Sequence, residues 1–294
     1  MRVAIIWGNI GDPEPAWTAH HMFWEHALRE TKDVEVTRFT WQNWQLMPTD
    51  FDLYFFIDFH PSLYRVQTTY YHPRIFWWWD SFHFSFIVPT QIINLFDRTY
   101  FAEKLVVDAL PGMSKLRWLP PAYSTAIYKP LSLFKVHDWA FIGQHGPTDC
   151  VTRHGLTRTE FITKLYRNKD YHGYLNTGIH GDLLNQVYNE SAILIDRTIY
   201  TNLGTRFFET IGSGGFLLAN RSAVPNGMDD VATDGAHFIS YDDTYDDFIE
   251  KFVWYRSHDK EREKIARTGE AYFKANHTYH HRVKAIFTDL GITS

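Results

Sequence analysis

The sequence predicts an α/β protein built from two Rossmann-like halves, and three observations carry that prediction. Short apolar runs typical of buried strands alternate with helical stretches, which indicates parallel sheets with right-handed crossover helices. The alternation occurs twice, before and after residues 120–138, a stretch with three prolines and little periodicity that we interpret as a linker. The length of 294 residues also fits two domains of about 100–150 residues each.

The first half opens with the apolar run RVAIIW (2–7), which ends in the glycine and proline loop GNIGDPEP. A helix is predicted over 16–30, where large side chains recur on one helical stripe. Further strands are predicted at VEVTRF (34–39), FDLYFFIDF (51–59) and RIFWWWD (74–80), and the pattern continues with QIINLF (91–96), a helix over 97–110 and KLRWLP (115–120).

The second half repeats this architecture after the linker. It begins with the strand WAFIG (139–143) and a helix over 157–168, followed by a short strand near Tyr171. The remaining elements are a helix over 181–190, the strand AILID (192–196), a helix over 204–212, the strands FLLAN (216–220) and HFISY (237–241), and a helical remainder over 244–290.

Composition and charge exclude several classes of protein. The formal net charge of −5 argues against a broadly basic nucleic-acid surface. A single cysteine, Cys150, cannot form an internal disulfide, and no zinc-like Cys/His spacing surrounds it. The apolar run at the N-terminus is too short for a signal peptide, and no stretch approaches the roughly 18–20 apolar residues of a membrane span. We therefore expect a soluble, cytoplasmic protein.

The segment NLGTRFFETIGSGGFLLANR (202–221) combines an Arg-x-x-Glu pair with a glycine-rich turn. One interpretation is structural: a surface salt bridge between Arg206 and Glu209, followed by a glycine C-cap. The other is a nucleotide site, because the strand–loop–helix order places the helix start where open α/β sheets bind phosphates. Arg206 would then supply a cation with a planar fork, and Glu209 could accept hydrogen bonds from a ribose.

Several motifs of the second half resemble one family of enzymes. They comprise a Phe-x-Gly strand, an Asn before an Arg-x-Phe-Glu helix, a Gly-Gly pair, a Tyr-Asp-Asp turn and a closing His-Thr-Tyr. The chain resembles the CgeB-like glycosyltransferases of the GT-B superfamily, and RIFWWWDSFH and KLRWLPPAYSTAIYKP resemble segments of their first domain. The matching positions are Phe141–Gly143, Asn202, Arg206, Phe208-Glu209, Gly214-Gly215, Tyr241-Asp242-Asp243 and His277-Thr278-Tyr279.

This resemblance implies a GT-B fold, in which two Rossmann-like domains face each other across a cleft and a C-terminal helix crosses back to the first. The domains would be 1–128 for the acceptor, 129–275 for the donor and 276–294 for the crossover helix. The implied reaction moves a sugar from a nucleotide-diphosphate sugar, with a UDP-sugar favoured, and needs no cofactor. The donor-binding residues would be Gly8, Gly143, Arg158, Asn202, Thr205, Arg206, Glu209, Gly214 and Gly215.

For some of these residues an ordinary structural role stays open. Arg158 could be an exposed helix charge, and Gly143 a turn glycine. Gly8 begins the loop GNIGDP (8–13), which in GT-B folds often faces the acceptor and the sugar, but which could equally be a plain turn.

Asp80, at the end of the WWW strand, and Arg206 are the candidate catalytic residues. An inverting reaction needs a general base, for which His20, His21 and Asp12 are further candidates. A retaining reaction needs no such base, and the resemblance favours it.

The position eight residues before Glu209, a second Glu in many retaining GT-B enzymes, is Thr201. Two alternatives therefore stay open: a non-catalytic nucleotide-sugar-binding module and a GT-B sugar-nucleotide epimerase. The acceptor could be a glycan, a protein, a small molecule or a modified base in DNA, and the sequence gives no indication of oligomeric state.

No metal site is predicted. The Asp-Asp pairs at 229–230, 242–243 and 246–247 lack Asp-x-Asp spacing, and the histidines of HTYHHR (277–282) have no acidic partner. Arg206, Arg158 and a helix N-terminus would offset the charge of a leaving diphosphate instead.

Overall fold

The structure is a computed structural model that describes residues 1–8, 20–68, 70–79, 87–143, 156–198 and 201–292. The chain forms two compact units. Unit 1 contains Met1–Pro121 and Tyr279–Ser294, whereas unit 2 contains Ala122–Thr278. Within the described ranges, no helix is long and apolar enough to cross a membrane.

Unit 1 is built on a parallel six-stranded sheet with the strand order β2-β1-β3-β4-β5-β6. Its central strands β3 and β4 are buried along their whole length, as expected for strands covered on both faces. The strands are β1 (Arg2–Ile6), β2 (Glu35–Phe39), β3 (Leu53–Ile57), β4 (Arg74–Trp78), β5 (Arg98–Phe101) and β6 (Leu116–Trp118). Its helices are α1 (His20–Arg29), α2 (Ile87–Leu95), α3 (Lys104–Asp108) and α10 (Tyr279–Asp289).

The C-terminal helix α10 belongs to unit 1, as the resemblance implied. The ring of Tyr279 packs edge-on against Trp24 of α1, with 5.2 Å between centroids. The buried guanidinium of Arg282 donates from Nε to the carbonyl of Pro120 and from Nη2 to that of Pro121, both at 2.8 Å. These contacts fix α10 in the unit that the N-terminal part of the chain forms.

Unit 2 is built on a parallel five-stranded sheet with the order β11-β10-β9-β7-β8. The chain from 119 to 136, all described, forms neither helix nor strand. The predicted linker 120–138 overlaps the first strand of unit 2, which begins at His137, and its residues from Ala122 onward belong to unit 2. The strands are β7 (His137–Ile142), β8 (Gly173–Asn176), β9 (Ser191–Asp196), β10 (Leu217–Asn220) and β11 (Ile239–Tyr241). The helices are α4 (Arg158–Tyr166), α5 (Gly181–Glu190), α6 (Thr205–Gly212), α7 (Met228–Val231), α8 (Tyr245–Ser257) and α9 (Asp259–Asn276).

The prediction is wrong between 91 and 101. The apolar run QIINLF lies mostly in helix α2, and the start of the predicted helix 97–110 is strand β5. Ile92, Ile93 and Phe96 are buried in the core of unit 1, and a short apolar run fits a buried helix as well as a buried strand. The helical remainder 244–290 is also three helices, which break at His258 and His277.

Candidate functional site

The carboxyl ends of β7 and β9 meet in unit 2, because these two strands are parallel neighbours in the sheet. β7 ends at Ile142 and is followed by Gly143, while β9 ends at Asp196. Helix α6 begins nearby with Thr205 and Arg206, and its N-cap is Gly204. In α/β folds, ligands usually bind where the carboxyl ends of the strands lie beside a helix N-terminus.

Arg206 is held at this edge by protein contacts on three sides. Its Nη1 donates to Oδ1 of Asp196 at 2.8 Å, and its Nε donates to the carbonyl of Ile142 at 2.7 Å. The guanidinium carbon lies 4.6 Å from the centroid of the Phe141 ring. With 17% of its side chain exposed, Arg206 presents a fixed cation that solvent or a ligand can still reach.

The position of the Arg206 guanidinium explains why residue 143 is a glycine. A Cβ atom at this position would lie 1.9 Å from Nη2 of Arg206, and the backbone φ is +149°. Any larger residue would displace the guanidinium and strain the backbone. The group that approaches the backbone of Gly143 closely is therefore the guanidinium of Arg206.

Two further arginines pack on aromatic rings in this part of unit 2, one of them on Phe141 as well. The guanidinium of Arg158, the first residue of α4, lies 4.9 Å from the Phe141 centroid, and that of Arg197 lies 4.0 Å from Phe161. Arg158 is buried, which contradicts an exposed helix charge, and Arg197 is fully buried. Arg158 Nε, Arg197 Nε and Arg197 Nη1 have no hydrogen-bond partner among the described residues.

We call Arg158, Arg197 and Arg206 the arginine cluster. Among the described residues, its one ion pair is with Asp196. Burial, with repulsion from Arg206, lowers the pKa of Arg158 to about 9, which leaves the group charged at neutral pH. Three cations against the carboxylates of Asp196 and the nearby Glu209 leave the site with a surplus of positive charge, and buried positive charge attracts an anion strongly.

Glu209 does not form the predicted surface salt bridge with Arg206, because Arg206 pairs with Asp196. Glu209 is buried within α6 and raises the pKa of the buried Tyr188 phenol, second to the effect of burial itself. Arg206 and Asp196 act on the same phenol. Glu209 thus lies among the charged groups of the site.

The loop before α6 is held by hydrogen bonds. The hydroxyl of Thr198 donates to the carbonyl of Asn202. Nδ2 of the buried Asn226 donates to the carbonyl of Thr201 at 2.7 Å and to its hydroxyl at 3.1 Å. Asn202, which precedes α6, and Thr205, its first residue, therefore lie in or beside a segment held by these hydrogen bonds.

The glycines after α6 form a helix C-cap, which is the structural interpretation of the GSGG turn. The amide of Gly215 donates to the carbonyl of Thr210 and that of Gly214 to Ile211, with Gly214 at φ +75°. This is the Schellman pattern. A Cβ on Gly215 would lie 2.4 Å from Leu194. The eight-residue helix separates these glycines from Arg206 by about one helix length, roughly 12 Å.

The remaining predicted residues lie in unit 1 or outside the described ranges. Gly8 follows β1 with φ +69°, and its carbonyl accepts a hydrogen bond from Trp41. The ring of His21 packs against Trp7, and its Nδ1 lies 3.9 Å from Oδ2 of Asp58. Asp80, Asp12 and the side chain of His20 lie outside the described residues.

The sequence analysis missed several polar residues at the carboxyl ends of the strands. Besides Asp196 and Arg197, these include Asn220 at the end of β10, whose Oδ1 accepts from the amide of Thr198. Its Nδ2 donates to Asp243, which also accepts from Ser222. A polar residue directly after a buried apolar strand is the signal that identifies such positions.

No group of three or more His, Cys, Asp or Glu side chains suited to a metal ion occurs among the residues that the structure describes. His280, one of the histidines of HTYHHR, lies 2.8 Å from the carboxylate of Glu30, the residue after α1. The expectation that these histidines have no acidic partner is therefore wrong for His280.

Comparisons with known proteins agree with this architecture. Residues 153–288 match a protein family described as glycosyl transferase-like. A search of curated proteins finds no match.

Solved structures of similar fold span the whole chain. Sucrose-phosphate synthase from Thermosynechococcus elongatus superimposes with a TM-score of 0.72 at 9% identity, covering 100% of both chains. HepE from Anabaena, solved with UDP and glucose, gives 0.66 at 11% identity over 98% of this chain and 99% of its own. An alpha-glucosyltransferase in complex with UDP-glucose and DNA containing an abasic site gives 0.65 at 10% identity over 99% of both. The chain thus has the GT-B fold, and its second half resembles the glycosyl transferase-like family.

Proposed function

We propose that the protein is a CgeB-like glycosyltransferase that moves a sugar from a UDP-sugar to an acceptor, with retention of configuration and without a metal ion. The observation that carries this proposal is the arginine cluster, a buried surplus of positive charge at the start of α6. HepE and the alpha-glucosyltransferase of similar fold were solved with UDP or UDP-glucose, which supports the choice of donor.

The diphosphate would lie against Arg206 and the first amides of α6. A leaving diphosphate accumulates negative charge in the transition state, and fixed cations stabilise it without reorganisation. Arg206 suits this role because Asp196, Ile142 and Phe141 already orient its guanidinium. Arg158 would add a second cation, and its buried guanidinium would gain a counter-ion on binding.

Glu209 would accept hydrogen bonds from the ribose hydroxyls, and Asn202 and Thr205 would line the loop that receives the phosphates. The Thr201 position carries no carboxylate, so the sugar hydroxyls would be bound by other groups. Asp80 in the first half remains the candidate contact to the acceptor or the sugar. The single cysteine is compatible with a cytoplasmic reaction.

Calorimetric titration with UDP tests the donor site. Replacing Arg206 by Gln should weaken UDP binding about ten- to a hundredfold, because a charge-assisted hydrogen bond contributes about 1.5–3 kcal/mol. Arg256→Gln is the matched control, since Arg256 also pairs with an aspartate, Asp138, but at the surface of unit 2. If both variants bind UDP with the affinity of the wild type, the arginine cluster does not take part in UDP binding.

Activity is tested by incubating the protein with UDP-sugars and candidate acceptors and following the products by mass spectrometry. We expect release of UDP together with a glycosylated acceptor or, slowly, the free sugar. Stereochemical retention is read from the anomeric proton of the product by NMR. Binding of UDP without any turnover across donors and acceptors would instead identify a nucleotide-sugar-binding module.

A further inference from the structure

A cavity of about 440 Å³ lies in unit 2 between helix α8 and the edge strand β11. Asp234 and Gly235, which line it, precede β11, and Trp254 and Tyr255 come from the last turn of α8. The cavity therefore lies toward the amino end of β11, whereas the arginine cluster lies at the carboxyl ends of the strands. Its volume falls within the range of small-molecule sites, about 300–1,000 Å³.

The wall of the cavity combines an exposed aromatic ring with accessible polar groups that form no hydrogen bond to the described part of the chain. Trp254 is 43% exposed, although such a large apolar ring is usually buried. One face of its ring stacks on His258, with 3.9 Å between centroids, which holds the indole in place. The Trp254 indole N–H, the Tyr255 hydroxyl and the Glu250 carboxylate form no hydrogen bond with any residue in the described ranges. A ligand with hydroxyl groups would satisfy all three.

The cations at the cavity are already paired with protein carboxylates. Lys251 lies 2.8 Å from Asp247, and Arg221 lies 2.8 Å from Asp229 and 3.6 Å from Asp234. An anion would therefore gain little here. The carboxylate of Glu250, which forms no ion pair within the described ranges, can accept hydrogen bonds from the hydroxyls of a neutral ligand.

We propose that this cavity binds a sugar residue of a neutral oligosaccharide, at a site separate from the donor site. The apolar C–H face of a pyranose would pack on the indole of Trp254, while its hydroxyls would bond to Glu250 and Tyr255. This site goes beyond the proposed transfer reaction, because none of its lining residues belongs to the arginine cluster. It would hold a glycan while the reaction takes place elsewhere on the protein.

The test is titration of the full chain with maltohexaose, laminarihexaose, mannohexaose and hexa-N-acetylchitohexaose, followed by tryptophan fluorescence and calorimetry. At least one of these oligosaccharides should bind at millimolar concentration or below. Trp254→Ala should weaken that binding about tenfold or more, because it removes the aromatic contact. Val253→Ala is the control, since Val253 is an exposed neighbour on α8 that does not line the cavity.

Three results would overturn the proposal: none of the four oligosaccharides binds, Trp254→Ala binds as tightly as the wild type, or tetramethylammonium binds in their place. The UDP affinity of Trp254→Ala should equal that of the wild type. This comparison separates failure of the glycan site from failure of the donor site, and it also shows that the variant is folded.

Discussion

The absence of a side chain at Gly143 leaves the space that the guanidinium of Arg206 occupies. Replacing Gly143 by Ala should push the guanidinium of Arg206 off Asp196, because the added Cβ would lie 1.9 Å from Nη2. We expect UDP to bind about tenfold or more weakly, although no atom that contacts the ligand has been removed. Calorimetric titration of UDP into the variant measures the effect.

Gly178→Ala is the matched control for this substitution. A Cβ at Gly178 meets no atom within 4 Å, so UDP should bind as it does to the wild type. If Gly143→Ala also retains full affinity, the position of Arg206 is not set by this glycine.

Glu209 offers a second test at the scale of single residues. If its carboxylate accepts from the ribose hydroxyls, then Glu209→Gln and removal of the hydroxyls should each weaken binding about tenfold. The two losses should not add, since both remove the same contact. Titrating wild type and variant with UDP and 2′,3′-dideoxy-UDP completes the cycle, and additive losses would assign the ribose to another residue.

The sequence predicted part of this site and missed part of it, for physical reasons. Arg206 could be found because its strand–loop–helix context is a local pattern. For Arg197 the sequence shows only a polar residue directly after a buried strand, because its burial against Phe161, a residue 36 positions earlier in the printed sequence, is a tertiary contact. The GSGG turn suits a ligand and a helix end equally well, and only the hydrogen bonds of Gly214 and Gly215 distinguish them.

At the scale of elements, the carboxylate of Asp289 connects helix α10 to the sheet of unit 1. Asp289 accepts hydrogen bonds from Arg98, Tyr100 and Arg117. Burial alone would raise the pKa of Asp289, but the hydrogen bonds from Tyr100 and Arg117 outweigh burial and lower it. A lowered pKa in the folded state means that the ionised carboxylate stabilises the fold.

This stabilisation should be complete above the pKa of an unfolded aspartate, about 3.9, and lost as the pH falls through the lower folded value. At pH 7, Asp289→Asn should therefore reduce the free energy of unfolding by about 1–2 kcal/mol. The difference from the wild type should disappear in acid. Urea unfolding across the acid range, followed by circular dichroism, measures both quantities.

Asp108→Asn serves as the comparison. Asp108 is an exposed carboxylate of α3 that accepts no hydrogen bond from any residue in the described ranges. Its unfolding should follow the wild type at every pH. A constant gap between Asp289→Asn and the wild type from neutral pH into acid would contradict the role given to the Asp289 carboxylate.

Elements were predicted well where the local sequence favours one structure and poorly where it suits a buried helix and a buried strand equally. The fully buried strands β3 and β4 were recognised, because the runs LYFFI (53–57) and IFWW (75–78) are apolar throughout and rich in aromatic residues. Helix α2 and strand β5 were exchanged, since tertiary burial of Ile92 and Ile93 decides between two structures that the local sequence allows equally.

At the scale of the whole molecule, a chain with a net charge of −5 concentrates cations at one site. If those cations offset the charge of the diphosphate, sugar transfer should survive EDTA and gain little from added Mg²⁺ or Mn²⁺. The acidic pairs already have protein partners: Asp229 binds Arg221, Asp243 binds Ser222, and Asp247 binds Lys251. Initial rates with and without chelator check this.

The Arg206→Gln variant tests whether a metal ion can replace the positive charge that Arg206 supplies. If Mn²⁺ restores turnover to that variant but does not stimulate the wild type, the cation supplied by the protein is the one that matters. A wild-type preparation that loses activity on chelation and regains it with Mn²⁺ would contradict metal independence.

The division of the chain has a consequence for how the protein is made. Residues 1–121 leave the ribosome first, but the helix that packs against Trp24 and carries Asp289 follows unit 2 in the chain. Unit 2 is one continuous segment, so the nascent chain can complete it while unit 1 still lacks α10. Although domains generally fold in the order of their synthesis, here the half that begins first is finished last.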